Sequence, residues 1–216
     1  MQPLVLILIV LLIAAALVPL GRVRHARRKQ LASLSMHNGW TYTASDPWNL
    51  PSALEGLWLG AWGHDRRCRD VISVPTAAGS LWLGQFERQM SSGRHRRTQR
   101  FALAVARVTG VYGGVAILPG EERFAPAEPF GRYRRVEEAP GVERQVWAER
   151  AESERDVIER LAGLQRELPA SAGLELRGST AVVYWPLGHS ANEQTFRALE
   201  AAGRGVIEIL RTQEEG

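Results

Sequence analysis

The most prominent pattern along the chain is an unbroken apolar run from Leu4 to Val18, which Pro19 extends to Leu20. As a helix, residues 3–20 would span about 27 Å, close to the roughly 30 Å hydrocarbon core of a bilayer. A helix also bonds its own backbone N–H groups, as lipid requires. The pattern therefore predicts a transmembrane anchor over residues 1–21.

A cleaved signal peptide is the alternative interpretation of this run. Such a peptide carries a positive region before its apolar stretch, and here only the α-amino group precedes it. The small residues Ala14, Ala15 and Ala16 lie inside the run rather than after it. We therefore expect an uncleaved anchor.

The residues just after the run are strongly basic. They are Arg22, Arg24, Arg27, Arg28 and Lys29. No Lys or Arg precedes the run, and basic flanks are retained in the cytoplasm. We therefore expect a single-pass protein of the cell membrane, with its N-terminus outside and its C-terminal domain in the cytoplasm. The same five residues are a candidate site for anionic lipid headgroups of the bilayer.

Behind the anchor, the pattern predicts a basic juxtamembrane helix over residues 22–38. Leu31 and Leu34 are its apolar contacts, and Gly39 lies just past its end, where glycine is common. The remaining residues, 39–216, are enough for one soluble domain with its own core.

The first part of that domain has the pattern of strands. Asp70–Thr76 and Leu81–Arg88 flank a glycine-containing turn and predict a hairpin. Arg100–Val108 is apolar on both faces, which is typical of a covered central strand. Val111–Leu118 and Glu143–Glu149 are further predicted strands.

Two helices are predicted in the last part of the chain, 153–168 and 190–211, each with a serine N-cap followed three residues later by an acidic side chain. Between them, Leu174–Arg177 and Thr180–Trp185 predict a hairpin that turns at Gly178. Hairpins outnumber β-α-β units, so the predicted class is α+β. We expect an antiparallel sheet with helices packed on one face, preceded by the single transmembrane helix.

This order of elements is similar to that of a known group of proteins. An apolar N-terminal helix and an Arg-rich flank lead to Gly39-Trp40-Thr41-Tyr42 and Asp46-Pro47, then to strands carrying Trp82, Phe86 and Val146-Trp147, and to a helix–hairpin–helix tail. In this layout the chain resembles a family of uncharacterised, membrane-anchored proteins of actinobacteria. The family has no established activity, so the resemblance implies an anchor and a soluble α+β domain, but no reaction. The tryptophan-rich segment 52–68 departs from the layout, and its role stays open.

The location of the charge bears on possible partners. The formal net charge of +4 comes from 27 basic and 23 acidic residues. Residues 1–30 hold five of the basic residues and none of the acidic ones, which leaves 22 basic against 23 acidic residues in the remainder. Lys29 is the only lysine, so the arginine bias indicates genome composition. A nearly neutral domain disfavours nucleic acid as a partner.

Motifs with strong catalytic or metal-binding meaning are absent from the sequence. His64 and Cys68 could supply two zinc ligands, but a structural site needs four, and the nearest spare, His95, lies in another segment. We therefore assign no catalytic residue, no metal site and no cofactor. The single cysteine excludes an internal disulfide.

Two weaker candidate sites remain. Arg94, Arg96 and Arg97 lie in a basic loop between predicted strands, where they could contact anionic lipid; a solvated loop in an arginine-rich chain is the simpler interpretation. His189 and Ser190 lie where a strand meets the last helix, and helix N-termini attract anions. A capping role for Ser190 already explains that residue.

These observations favour a membrane-tethered interaction or scaffold domain with an unidentified protein partner. A membrane-proximal enzyme acting on a small molecule is the alternative, and a binder of anionic lipid or nucleic acid is the third hypothesis. An enzyme would show a concave site with converging ionisable groups. A scaffold would lack that convergence and would expose apolar side chains to a partner.

Overall fold

A computed structural model describes residues 21–77, 79–92, 95–119, 133–136, 144–150 and 152–211. In these ranges no helix is both long enough and apolar enough to cross a bilayer. The predicted anchor, residues 1–21, lies outside the described residues except for Gly21.

The described part of the chain contains five helices and seven strands. The helices are α1 (21–37), α2 (Leu50–Ala53), α3 (Trp58–Ala61), α4 (Arg155–Glu167) and α5 (Glu193–Arg211). The strands are β1 (Thr41–Thr43), β2 (His64–Thr76), β3 (Gly79–Ser92), β4 (His95–Leu118), β5 (Arg134–Arg135), β6 (Gln145–Ala148) and β7 (Gly173–Pro186).

All strand pairs are antiparallel, in the order β1-β2-β3-β4-β6-β5, and β7 pairs with β4. The α+β class and the antiparallel sheet are therefore confirmed. The predicted hairpin of β2 and β3 is also confirmed, with Thr76 opposite Gly79 at its turn. The stretch predicted as a central strand lies in β4, whose residues 101–106 are buried on both faces.

Each face of the sheet carries its own hydrophobic cluster. Residues of α1, α4 and α5, among them Leu31, Leu161 and Phe196, pack with one cluster. Leu54 and Trp58, from the segment of α2 and α3, pack with the other. The long helices share one face, as predicted, and the tryptophan-rich segment covers the opposite face.

Two predicted breaks between strands are wrong. The stretches 100–108 and 111–118 form one strand, β4, and the expected hairpin at Gly178 is one strand, β7. Both strands are irregular where they face each other. The register shifts of β4 between Arg107 and Val115 lie opposite Gly178 of β7, whose φ is 56°. A glycine with positive φ serves a bulge as well as a turn, so the sequence signal is the same for both.

Both serine caps were also placed wrongly. Asn192 caps α5, since its Oδ1 accepts from the backbone N–H of Thr195 at 2.9 Å, and Thr195 Oγ1 accepts from the N–H of Asn192 at 3.3 Å. Ser153 donates to the carbonyl of Arg150 instead, and Glu154 is the N-cap residue of α4 without a side-chain cap bond. Asn and Ser are similarly good cap residues, so the local pattern does not decide between Ser190 and Asn192.

Candidate functional site

A buried carboxylate, Asp70, joins α1 to the sheet. The Nη2 of Arg27 donates to Asp70 Oδ2 at 2.8 Å, as does the Nε2 of Gln85 at 2.8 Å. The hydroxyl of Tyr42 donates to Asp70 Oδ1, also at 2.8 Å. Asp70 has a φ of 49° at an irregularity in β2, a conformation that aspartate tolerates better than most residues.

The same group of residues holds the loop before α5. The Nε of Arg27 donates to the carbonyl of Ala191 at 3.0 Å, and the N–H of Ala191 donates to Gln85 Oε1 at 3.1 Å. Burial, followed by the hydrogen bond to Asp70, raises the pKa of Tyr42 well above its ordinary value, so its hydroxyl stays protonated as a donor. We call Arg27, Tyr42, Asp70, Gln85 and Ala191 the Asp70 network.

The basic residues predicted after the anchor separate into two groups in the structure. Arg22, Arg24, Arg28 and Lys29 are exposed on α1. Arg27 is bound within the Asp70 network and its side chain is only 22% exposed. Four of the five candidate lipid contacts therefore face solvent, and the fifth fastens the helix to the domain.

The two weaker candidate sites differ in how they are built. Arg96 and Arg97 are exposed residues of β4 that pair with Ser91 and Met90 rather than loop residues, and Arg94 lies outside the described residues. His189 and Ser190 are exposed in the loop that ends at Ala191, and so lie beside the Asp70 network. Sequence reasoning did not anticipate that Arg27 and this loop meet.

The structure also shows where His64 and Cys68, the two possible zinc ligands, lie. Cys68 is buried, and burial raises the pKa of its thiol, while His64 is exposed. In the part of the chain that is described, no three His, Cys, Asp or Glu residues converge as a metal site would require.

A second buried carboxylate, Glu175, was missed from the sequence. The alternation of Leu174, Glu175, Leu176 and Arg177 indicated a half-buried strand with Glu175 on the solvent side, yet Glu175 is 1% exposed. The segment of α2 and α3 covers it. This expectation is wrong because both faces of the sheet are covered, so alternation does not separate core from solvent.

Backbone N–H groups hold the carboxylate of Glu175. Leu59 donates its N–H to Oε1 at 2.8 Å, Trp58 donates its N–H to Oε2, and the hydroxyl of Tyr184 also bonds the carboxylate. Burial raises the pKa of Glu175 to about 7, although these bonds and the charge of Arg88 oppose the change. Trp58, Leu59, Glu175 and Tyr184 form what we call the Glu175 network.

Residues near the two ends of β7 come into contact beside this network. A Cβ atom at Gly173 would lie 2.5 Å from Tyr184 Cζ, so only glycine fits there without a shift of the tyrosine ring. Burial raises the pKa of Tyr184 well above its ordinary value, and Glu175 adds to the increase. The tyrosine is therefore a donor to Glu175 rather than an anion.

A buried guanidinium completes this face. Arg88 donates from Nη1 to the carbonyl of Leu59 at 2.8 Å and from Nε to Gln99 Oε1 at 2.9 Å. Its Cζ lies 5.0 Å from the centre of the Phe101 ring, within cation–π range. Burial lowers the pKa of Arg88. Arg88 thus binds a backbone carbonyl of α3 to the sheet, while Glu175 binds two backbone N–H groups of α3 to the sheet.

One surface depression among the described residues lies away from these buried groups. This depression, of about 370 Å³, is lined by residues of α2 and the start of β2, including Ser52, Glu55, His64 and Arg66. It includes no residue of the Asp70 network or the Glu175 network. The carboxylate of Glu175 accepts three hydrogen bonds inside the core, an arrangement suited to holding a segment in place.

Comparison with known proteins identifies a shared fold. No family model matches this chain, and no curated protein matches it. Among solved structures, it is similar to the crystal structure of the mycobacterial trehalose monomycolate transport factor A, TtfA, with a TM-score of 0.58 and 12% sequence identity. The match covers 85% of this chain and 94% of that chain. At this identity the match shows the fold alone: the chain has the α+β architecture of this mycobacterial transport factor.

Proposed function

We propose that this protein is a membrane-tethered, non-enzymatic domain that holds a protein partner at the cytoplasmic face of the cell membrane. The observation that carries the proposal is that α1, which directly follows the apolar run, belongs to the core of the domain. Leu31 is 2% exposed and Leu34 is 6% exposed. The tether is thus joined to the domain without a flexible linker.

Such a connection fixes the orientation of the domain. Burial of Leu31 and Leu34 removes apolar area from water, at about 1.5–3 kcal/mol for each fully buried side chain. The ion pair between Arg27 and Asp70 adds a directional contact one to two turns closer to the start of the helix. A domain held in this way presents the same surface to its surroundings at all times, which suits a scaffold.

The buried ionisable groups support a structural role over a catalytic one. Glu175 has a pKa close to neutral, as many general acids and bases do, but it lies within the core and bonds the N–H groups of Trp58 and Leu59. A catalytic carboxylate must reach a substrate proton. The enzyme alternative therefore has no support from this residue.

Exposed apolar side chains supply candidate contacts for a partner. In the described residues these are Val23, Met36, Trp62 and Val111, of which Val111 is the most exposed at 90%. By its name, the protein with the similar fold is a transport factor for trehalose monomycolate. We extend to this chain only the general role of an accessory protein in transport at the membrane.

The anchor and its orientation are tested with the full-length chain in cells. We expect it to resist extraction by alkaline carbonate, and an alkaline phosphatase fused to its C-terminus to be inactive because the domain stays in the cytoplasm. Release of the chain by carbonate, or an active phosphatase fusion, would contradict the proposal.

Partner binding is tested by photo-crosslinking in the same cells. A photoreactive amino acid at Val111, Met36 or Trp62 should give a discrete adduct with a second protein. The same amino acid at Glu159, an exposed polar position of α4, is the control and should give none. A chain that yields no discrete adduct from any of the three apolar positions is not a scaffold of the proposed kind.

A further inference from the structure

One end of the sheet gathers the start of α1 with the start of β2, the end of β3 and the start of β4. Along α1, Leu34 and Leu31 lie in the cluster with Leu81 and Leu83, and Arg27 reaches Gln85 through Asp70. α1 and β3 therefore run in opposite directions, so that the start of α1 lies near the end of β3. The proposed membrane anchor precedes α1, so this end of the sheet faces the bilayer under the proposed function.

Two residues beyond Gln85 on β3, about 7 Å farther toward this end, three guanidinium groups surround one carboxylate. Arg67 and Arg100 pair with Glu87 in the neighbouring strands. The Nε of Arg67 donates to Glu87 Oε2 at 2.8 Å, and the Nε of Arg100 donates to Oε1 at 3.0 Å. The Nε of Arg69 lies 3.7 Å from Oε2. We call these four residues the Glu87 cluster.

The Glu87 cluster carries more positive charge than its carboxylate neutralises. The side chains of Arg67, Arg69 and Arg100 are 53%, 45% and 48% exposed, whereas that of Glu87 is 11% exposed. Burial raises the pKa of Glu87, but the three guanidiniums prevail and lower it, so the carboxylate stays charged. Three cations against one anion leave two positive charges on half-exposed groups.

The basic surface continues beyond this cluster. Arg96 and Arg100 are four residues apart on β4 and point to the same face, which is the face of α1, because Ala102 belongs to the cluster that contains Leu31. Arg22, Arg24, Arg28 and Lys29 are exposed on the neighbouring helix. One end of one face thus combines guanidiniums from β2, β4 and α1.

We propose that the Glu87 cluster, with Arg96 and the exposed basic residues of α1, binds the phosphate groups of anionic phospholipids and draws this end of the domain onto the bilayer. The proposal rests on the membrane tether of the proposed function. Guanidinium groups match phosphate oxygens in geometry and remain charged at all physiological pH values. Glu87 holds the three side chains in place and limits the net charge of the site.

Nucleic acid carries the same phosphate chemistry, but two observations favour lipid. The residues after position 30 have 22 basic against 23 acidic side chains, so the positive charge is confined rather than spread along a long binding track. Its location beside the helix that follows the apolar run places it where headgroups would be. Each basic residue near an anionic membrane surface changes the partition coefficient of a protein between water and membrane by about fivefold.

The test uses the full-length chain in lipid nanodiscs, made of phosphatidylcholine alone or mixed with phosphatidylglycerol. Ser91→Cys carries a fluorescent donor at the basic end, and Thr109→Cys carries it near the middle of β4, beyond the start of β3; the headgroups carry the acceptor. We expect phosphatidylglycerol to increase energy transfer from a donor at position 91 to the headgroups. Energy transfer from a donor at position 109 should change less. Failure of the chain to insert into discs would count against the tether, whereas insertion with no dependence on lipid charge would overturn only this inference.

Matched variants identify the residues responsible. The lipid-dependent approach is measured as the equilibrium constant for bringing the basic end of the domain onto the anionic bilayer. Arg69→Gln with Arg96→Gln should lower this constant by about 25-fold, since each residue contributes about fivefold. Arg134→Gln with Arg135→Gln, an exposed pair on β5, removes the same charge elsewhere and should change it less than twofold. Equal responses of the two double variants would overturn the proposal.

Two further arms separate lipid from other sources of phosphate. Glu87→Gln should strengthen the lipid-dependent approach by about fivefold, the opposite direction to the arginine variants, and if this variant does not fold, the arginine pairs still decide. Inorganic phosphate at the same ionic strength as a chloride control should not reverse the approach. Selective reversal by inorganic phosphate, or by a short oligonucleotide, would show a different ligand and would overturn the lipid assignment.

Discussion

Asp70 and Glu175 are both buried carboxylates, but they lie on different faces of the sheet and are held by different partners. Asp70 accepts from a guanidinium, an amide and a phenol, all on side chains. Glu175 accepts from two backbone N–H groups and the hydroxyl of Tyr184, and Arg88, whose charge acts on Glu175, bonds Leu59 and Gln99 instead.

This difference separates two kinds of attachment. The Asp70 network joins a helix to the sheet through an ion pair, so its strength depends on the charge of Arg27. The Glu175 network joins an irregular segment to the sheet through backbone donors, which cannot be replaced by mutation. Because no cation bonds Glu175 directly, burial raises its pKa to about 7, and this attachment responds to pH.

The largest expected effect is that of Glu175→Ala. The substitution removes the acceptor of two buried N–H groups and of the Tyr184 hydroxyl, and each unsatisfied donor costs about 1–3 kcal/mol. We expect a loss of roughly 4 kcal/mol in the free energy of unfolding, against roughly 2 kcal/mol for Asp70→Asn, which keeps an acceptor for its neighbours. Urea unfolding of the full-length chain in detergent measures both, and a smaller loss for Glu175→Ala than for Asp70→Asn would reverse the comparison.

The pH dependence of stability sharpens the contrast. The pKa of Glu175 is about 7 in the folded state, above the ordinary value of 4.5, so between these values the folded state holds a proton that the unfolded state has released. The stabilisation is fully present below pH 4.5 and is lost as pH rises through 7. By linkage, this group alone should lower the free energy of unfolding by about 3 kcal/mol over that range.

The isosteric variant Glu175→Gln isolates this contribution. It has no proton to exchange, so the difference in stability between the native chain and the variant should depend on pH, with the native chain gaining as pH falls. Unfolding curves collected from mildly acidic to neutral pH would show this. A difference that stays constant over the whole range would mean that Glu175 keeps the same protonation in both states.

A smaller effect is expected when Arg27 is replaced by Gln. Its ion pair with Asp70 is partly exposed, so we expect a loss of about 1–2 kcal/mol in the free energy of unfolding. Arg28→Gln, an exposed neighbour on the same helix, is the matched control and should stay within about 0.5 kcal/mol of the native chain. Equal losses for the two variants would show that the ion pair contributes nothing beyond general charge.

The smallest difference concerns the loop that the Asp70 network holds. Asn192→Ala should cost about 1 kcal/mol because Asn192 caps α5, as its bond to the N–H of Thr195 shows. Ser190→Ala should cost less than about 0.5 kcal/mol, since Ser190 is exposed and surface substitutions of this kind are nearly neutral. Thermal unfolding of the two variants distinguishes them. A larger loss of stability for Ser190→Ala would show that Ser190, as predicted from the sequence, caps α5.

The sequence predicted the fold better than the residues that hold it together. Periodicity was sufficient for α1 and α5, because each buries one clear apolar stripe, and the glycine-containing turn was sufficient for the hairpin of β2 and β3. The same rule failed at Glu175, where alternation indicated solvent but a second covered face lay above it. No local pattern marks a segment such as 48–61 as the cover of a sheet.

The Asp70 network also could not be predicted from the sequence, for a different reason. Arg27 and Asp70 are separated by 43 residues, and Arg27 and Ala191 by 164. In the sequence, Arg27 has the same charge as its four basic neighbours, and helical spacing places it on the face of Leu31 and Leu34 without showing which groups it meets there. Contacts of this range follow from the tertiary fold, so composition and spacing carry no signal for them.

If α1 and the sheet form one body, the proposed tether fixes the orientation of the domain. Amide hydrogen exchange of the full-length chain in nanodiscs tests it most directly, because exchange reports the free energy of local opening. We expect the amides of residues 28–37 to open together with those of β3 and β4, at nearly the same free energy, and we expect Arg27→Gln to lower the protection of α1 first. Amides of α1 that exchange freely while β3 and β4 stay protected would contradict it.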